Sequence, residues 1–337
     1  MATSKSVIKS IVMLSATGIL GACGGGGGGG DGGTSGGIAA SDPVTISAAN
    51  AEQVASATLD ASSGLTGNTA GALAIVPAAV GDVPSVQINV IETIIDQVMM
   101  APALLPGDSS TVKPAAVESF APNCDSGTMS GSFNDADNDL TLSTGDSISM
   151  TANSCTFGDV TMNGRLSISH VVVSGDEFAP PYSMQFTVQA TNFSVSSGGE
   201  VVVLNGGGTI GESSNDGISF TSTFTGKGVQ LVAGDDDLTL TNYNVQHTEN
   251  QATGEYSISF NGTISSSNLG GSITVTTDVA LSGVGAFDAD AGQITCVGAG
   301  KTSVTLIAVD SLNVRLEVDE NGDGTVDQTF SAAWGDL

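Results

Sequence analysis

Asp319-Glu320-Asn321-Gly322-Asp323-Gly324-Thr325-Val326-Asp327 is the sharpest chemical pattern in this sequence. The spacing D-x-N-x-D-G-x-x-D turns alternate side chains inward on a tight loop, and hard oxygen ligands converging in this way suit Ca²⁺. Asp319, Asn321, Asp323 and Asp327, helped by main-chain carbonyls, are the candidate ligands of a structural Ca²⁺. The match to an EF-hand loop is partial, because its twelfth position is Phe330 and the flanks NVRLEV and QTFSAAW alternate like strands. A plain hairpin turn fits the same residues, since Asn, Asp and Gly tolerate left-handed backbone. Both readings stand on the sequence. A second acidic run, Asn134-Asp135-Ala136-Asp137-Asn138-Asp139, lacks the glycine and is the lesser candidate.

Catalytic chemistry has little to work with. The two histidines, His170 and His247, sit in strand-like text. There is no nucleophile elbow between a strand and a helix, no His-Glu-x-x-His and no phosphate-cradling glycine loop. No catalytic residue is assigned. A Ser-His-Asp set assembled from distant strands leaves no local signature, so a hydrolase stands as the alternative reading.

Cysteine is the remaining reactive type. Cys23 lies between the apolar run IVMLSATGILGA and seven consecutive glycines, with Lys5 and Lys9 upstream. Twelve apolar residues are too few for a helix spanning ~30 Å of hydrocarbon. A basic start, a short apolar middle and small residues before a cut are the layout of a secretory signal peptide. Leu20-Gly21-Ala22-Cys23 resembles the lipobox of bacterial lipoproteins. That resemblance implies removal of residues 1–22, acylation of Cys23 and attachment to a membrane. The glycine tract over 23–40 is then a flexible tether reaching ~20 Å from Cys23 to Gly37. Gly24 follows the cysteine where an inner-membrane retention signal would place aspartate, so a Gram-negative host would carry the chain at its outer membrane. An exported chain meets an oxidising compartment. Cys124 and Cys155 flank one group of strands and are the expected disulfide, while Cys296 reads as a buried free thiol.

Charge excludes one class of partner. Five Lys and Arg against 35 acidic residues remain after Cys23, a formal charge near −30. Such a chain repels phosphate backbones, so nucleic acid is not a partner. A solvated, non-adhesive surface is the plain meaning of the charge. Disorder is not, because mean hydropathy is positive and β-branched residues alternate regularly.

The elements that must position these residues come in two kinds. TISAANAEQVASATLDASSGL reads as a helix, with Asn50 and Gln53 as a capping box, Val54, Ala57 and Ala61 on one face and Gly64 as the stop. DVPSVQINVIETIIDQVMMAP, residues 82–102, suggests a second amphipathic helix, with Ile88, Ile91, Ile95 and Val98 at helical spacing. Glu92 and Asp96 speak against its crossing a membrane. From about residue 120 the text becomes short runs such as MQFTVQATNFSVS and EYSISFNGTISS, which alternate apolar with Ser, Thr or Asn. About a dozen to fourteen such runs joined by short links predict a mainly β, antiparallel body. It would be a large sandwich, an open barrel or a curved sheet, with one or two N-terminal helices. A transmembrane barrel would need aromatic girdles, and one Trp, three Tyr and 11 Phe do not supply them.

The expected organisation is a signal peptide over 1–22, a tether over 23–40, a helical or irregular segment over 41–119 packing on the β body, and an antiparallel β domain over 120–337. The C-terminal run is similar to a group of uncharacterised proteobacterial lipoproteins, Gly/Ser/Thr-rich and β-rich. The residues that carry the likeness are Gly292 to Gly298, the loop Asp319 to Asp327 and Trp334 to Leu337. Cys124, Cys155 and Gly164 add to it, and Cys296 departs from the family's aliphatic residue. The group brings no activity with it. The expected function is therefore that of a lipid-anchored envelope lipoprotein with a non-enzymatic binding or structural role. Its partners would be the membrane, through the acyl chains, and a lipid, a glycan or an envelope protein.

Overall fold

The computed structural model describes residue 38 and residues 41–66, 117–137, 142–176, 179–197, 200–233, 236–285 and 288–337. The expected signal peptide and Cys23, nearly all of the expected tether and the segment 67–116, where the second helix is expected, lie outside the described residues.

Among the described residues one helix, α1 (Ala51–Thr66), precedes the strands. They are β1 (Val117–Phe120), β2 (Ser126–Asn134), β3 (Ser147–Phe157), β4 (Val160–Asp176), β5 (Ala179–Ser197), β6 (Glu200–Ser214) and β7 (Ser219–Ala233). After these come β8 (Asp236–Asn250), β9 (Glu255–Ser266), β10 (Gly271–Val284), β11 (Ala291–Val297), β12 (Ser303–Ala308), β13 (Asn313–Asp319) and β14 (Gln328–Ala333). Each strand pairs antiparallel with the next in chain order, giving one open, curved 14-stranded sheet. Of the three architectures the alternation allowed, the chain adopts the curved sheet.

Alternation sorts the residues onto two faces. Tyr243, Val245 and His247 of β8 are buried, while Asn242, Asn244 and Gln246 between them are exposed. The inner face runs without interruption from Phe133 and Ile148 through Leu166, Phe186, Ile210, Phe224 and Phe260 to Leu306 and Leu316. Hydroxyls line the outer face and bond across strands, as Ser132 does with Ser149 at 2.8 Å and Thr248 with Ser257 at 2.6 Å. The high Ser and Thr content is thus the wet side of a one-faced sheet.

Bulges curl this sheet. Three Asn-Gly pairs fall in mid-strand, at Asn163-Gly164, Asn205-Gly206 and Asn261-Gly262. Each asparagine oxygen accepts a main-chain N–H of the neighbouring strand, from Ser154 at 2.7 Å, Asn192 at 2.7 Å and Thr277 at 3.1 Å respectively. The ladder slips beside each of them, and Ser154 and Asn192 take φ of +48° and +45°. A bulge adds a residue to one strand and sharpens its twist, so a series of bulges bends a broad sheet. Gly164 is required there: its φ is +89°, and a Cβ would lie 2.0 Å from the Asn192 carbonyl oxygen.

The helix lies against the inner face. Its buried stripe is Ala51, Val54, Ala55, Thr58 and Ala61, small residues that let helix and sheet approach closely. Ala57, expected on that stripe, is only half-buried. The helix touches β7, β8, β9, β11, β12 and β13. The capping box is not formed. Asn50 Oδ1 accepts the Ser47 N–H at 2.8 Å, and Gln53 Nε2 donates to the Asn268 carbonyl at 2.6 Å. A tertiary acceptor between β9 and β10 has taken the side chain meant for the cap. The helix also runs two residues beyond Gly64.

Candidate binding surface

α1 starts beside the turns that follow β9, β11 and β13. Ile46 N–H donates to Thr302 Oγ1 at 2.8 Å and Ala48 N–H to Glu320 Oε1 at 2.7 Å. α1 touches β7, β8, β9, β11, β12 and β13, so it lies across the strands of the inner face. Toward the β6–β7 and β8–β9 turns the apolar surface changes character.

Phe186, Ile210, Phe224, Val245 and Phe260 stand opposite one another on β5 to β9 and form an apolar row. The next row toward the turns is mixed: Glu212, Ser222, His247, Ile258 and Leu281 on β6 to β10. Beyond it come Ser214, Phe220, Glu249 and Tyr256. Tyr182 O–H donates to the Glu212 carboxylate, and its ring lies 6.4 Å from that of Phe220.

His247 is the distinctive member. It is 4% exposed, and its Nε2 has no hydrogen-bond partner. Burial pushes its pKa down, with the Glu249 carboxylate pulling weakly the other way. Tyr256 beside it is pushed up to about 12, mainly by burial and also by Asp288 and Asp290. Ser222 is the register partner of His247, and Glu249 lies two residues along the same strand. That is a serine, a histidine and a carboxylate on one face. Nε2 bonds neither to the serine nor to anything else, so Ser222 has no general base engaged on it. His170 is exposed on a β4 bulge, and its Nδ1 lies 3.1 Å from Ser169 Oγ.

The residues expected at other sites are placed as follows. Cys124 and Cys155 form the disulfide, with Cα atoms 5.3 Å apart. Cys296 is free and buried, 3.2 Å from Thr58 Oγ1 under α1, and burial pushes its thiol up to about 12. A thiol held protonated in this way packs as a small apolar group. In the Asp319–Asp327 loop the carboxylates serve the main chain. Asp319 accepts the N–H groups of Asn321, Gly322 and Gly324 at 3.2, 2.7 and 2.7 Å. Asp327 accepts the Glu320 N–H and the Asn321 side-chain amide, and Asp323 accepts from Thr325. The loop is closed by these bonds, and a cation would have to compete with three amides for Asp319. The lesser acidic run behaves differently. Among the described residues, Asp135, Asp137 and Asp146 alone bring three carboxylates within 4.8 Å of one another. Asp146, which the sequence reading did not include, joins them from the far side of the β2–β3 turn.

Period-two alternation from Tyr243 already turns His247 inward, so the signal for its position was present in the sequence. Its unmet nitrogen depends on neighbouring strands and was not legible. No protein family, no curated protein and no solved structure matches this chain.

Proposed function

We propose that the chain is a lipid-anchored lipoprotein of the bacterial cell envelope, held at the outer membrane by acyl chains on Cys23. Its β body has a binding or structural role and not a catalytic one. The observation that carries the binding role is the inner face, an aliphatic and aromatic surface on which α1 packs and which becomes mixed, with Glu212, Ser222 and His247, toward the β6–β7 and β8–β9 turns. A surface lined in this way favours a lipid partner over a glycan, which would ask for paired hydrogen-bonding groups. The Cys124–Cys155 disulfide supports export, since such bonds persist in oxidising compartments. The resemblance of the C-terminal run to proteobacterial lipoproteins supports the same location.

The test is the mass of the amino-terminal peptide from the full chain expressed in a Gram-negative host. The expected peptide begins at Cys23 and carries a diacylglycerol and an amide-linked acyl chain. A peptide that retains residues 1–22, or a free thiol at Cys23, overturns the anchor.

A further inference from the structure

We propose that the free edge of β14 takes up an extended segment of a partner protein as an added strand. That segment alternates apolar with hydroxyl side chains and carries basic residues at both ends. The inference concerns the edge of the sheet and does not rest on the reading of its inner face.

The open sheet has two edges, β1 and β14. Main-chain groups on an exposed edge can pair with another chain, and proteins blunt such edges with short strands, charge or proline. β1 is blunted in each of these ways: it has four residues, Glu118 lies within it and Pro122 follows it. β14, Gln-Thr-Phe-Ser-Ala-Ala, has six residues with no charge and no proline. The ladder shows which of its groups are free. Trp334 N–H donates to the Leu312 carbonyl at 3.2 Å, and Asp327 N–H to that of Val318 at 2.8 Å. Hydrogen-bonded pairs alternate along antiparallel strands, so Ala332, Phe330 and Gln328 bond to their register partners Val314, Leu316 and Val318. Thr329, Ser331 and Ala333 therefore turn their N–H and C=O groups to the open side. Their side chains follow the same alternation. Thr329 and Ser331 are exposed, whereas Ala332 is buried and Phe330 packs half-buried against the core. A strand added here covers the open flank of Phe330 with an apolar residue and sets hydroxyls beside Thr329 and Ser331.

Charge at the ends of β14 selects the partner. Asp323 and Asp327 are exposed before the strand, and Asp310 and Asp336 are exposed at its other end. Arg315, the register partner of Ser331, is held by Glu317 at 3.0 Å. Lys301, near Gly322, balances at most one carboxylate of the loop. A second copy fits poorly. Pairing β14 with itself about a twofold at Ser331 sets Thr329 opposite Ala333, but it brings the Asp327 end of each copy to the Asp336 end of the other. Lysine or arginine at both ends of the incoming segment meets these carboxylates instead.

The full chain is titrated with the peptide Lys-Lys-Thr-Val-Thr-Val-Thr-Lys-Lys, which reads the same in either direction. Calorimetry gives its affinity, and amide exchange followed by NMR gives its place. In the free chain the amides of Thr329, Ser331 and Ala333 exchange fast, while those of Phe330 and Ala332 are protected. The peptide slows the first three by about tenfold or more and leaves the other two unchanged. A strongly acidic chain attracts any basic peptide, so Lys-Lys-Thr-Val-Pro-Val-Thr-Lys-Lys is the control. It keeps the charge, lacks the central N–H and binds about five- to tenfold more weakly. Ser331→Pro removes an N–H that β13 does not use, keeps the parent circular dichroism and weakens the first peptide to a similar degree.

Equal affinity for the two peptides reduces the binding to charge and overturns the inference, as does slowed exchange anywhere but at Thr329, Ser331 and Ala333. A peptide with Glu in place of every Lys that binds as tightly overturns the basic ends. If those three amides are protected in a dimer before any peptide is added, a second copy holds the edge and the proposal falls. The exchange measurement needs no variant to fold.

Discussion

Asn205 Oδ1 accepts the main-chain N–H of Asn192 at 2.7 Å, so a side chain of β6 completes the ladder where β5 bulges. Asn163 does the same for Ser154, also at 2.7 Å. The bulged amide points at its neighbour with no carbonyl in register, and the asparagine supplies the missing acceptor. Asn205→Ala should lower stability by ~1 kcal/mol, the net worth of an exposed hydrogen bond. Urea unfolding followed by circular dichroism reads this directly, and an unchanged midpoint would show that water replaces the side chain without loss.

Gly164→Ala is the harsher change at the same device. The position combines a φ of +89° with a Cβ placed 2.0 Å from a backbone oxygen, and backbone cannot step aside as a long side chain can. The expected cost is ~3 kcal/mol or more. Recovery of a soluble, cooperatively melting variant with the parent Tm would mean that the bulge does not hold β4 against β5.

These positions also mark how far the sequence could be read. Strict alternation of apolar with Ser, Thr or Asn made the antiparallel sheet legible, and charge clustered at Gly and Asp located its turns. An Asn-Gly pair ordinarily signals a hairpin tip. Here VTMNGRLSIS and EYSISFNGTISS run through it as continuous strands. What converts the pair into a bulge cap is the adjacent strand's slipped register, which no local window contains. The capping box at Asn50 and Gln53 failed for the same kind of reason, because Gln53 spends its amide on Asn268, 215 residues away. His247 was placed by alternation, whereas its lack of a partner is a property of three neighbouring strands. Asp146 joined Asp135 and Asp137 through a turn whose closure the sequence did not reveal.

The disulfide closes a loop with a sequence separation of 31 between Cys124 and Cys155. In the chain-entropy account its loss costs about 3–4 kcal/mol. The double variant Cys124→Ala/Cys155→Ala should show that loss in urea unfolding, and reduction of the parent chain should reproduce it. A much smaller effect would mean that the unfolded chain keeps β2 and β3 together without the bond.

Asp319→Ala tests the C-terminal loop. The side chain is nearly buried and accepts three amide N–H groups, which its removal leaves unmet. The expected loss is about 2–4 kcal/mol, and it should be the same in Ca²⁺ and in chelator. A Tm that rises with Ca²⁺, and ceases to do so in Asp323→Ala, would assign the ion to this loop after all. A Ca²⁺ response that Asp146→Asn abolishes would place it at the β2–β3 turn instead.

His247 gives the fold a defined acid sensitivity. Its folded pKa lies below the value near 6.5 of an unfolded histidine, because burial disfavours the imidazolium. Below pH ~6.5 the unfolded chain therefore binds a proton that the folded chain refuses, and stability falls as pH drops from there through the folded pKa. Above pH ~6.5 both states are neutral and the contribution is constant. His247→Phe should flatten the stability profile between pH 7 and pH 5. The acid loss from Asp216, Asp310 and Asp323 should persist in that variant. Hydrogen bonds, chiefly from main-chain amides at Asp216 and Asp310 and from the Thr325 hydroxyl at Asp323, hold all three below the usual carboxylate range, so that loss lies at lower pH. His170→Gln serves as the control, because that imidazole is exposed. A parent profile that is already flat from pH 7 to pH 5 would mean that the protonated ring finds Glu249 or another acceptor, and that the inner face opens to let it do so.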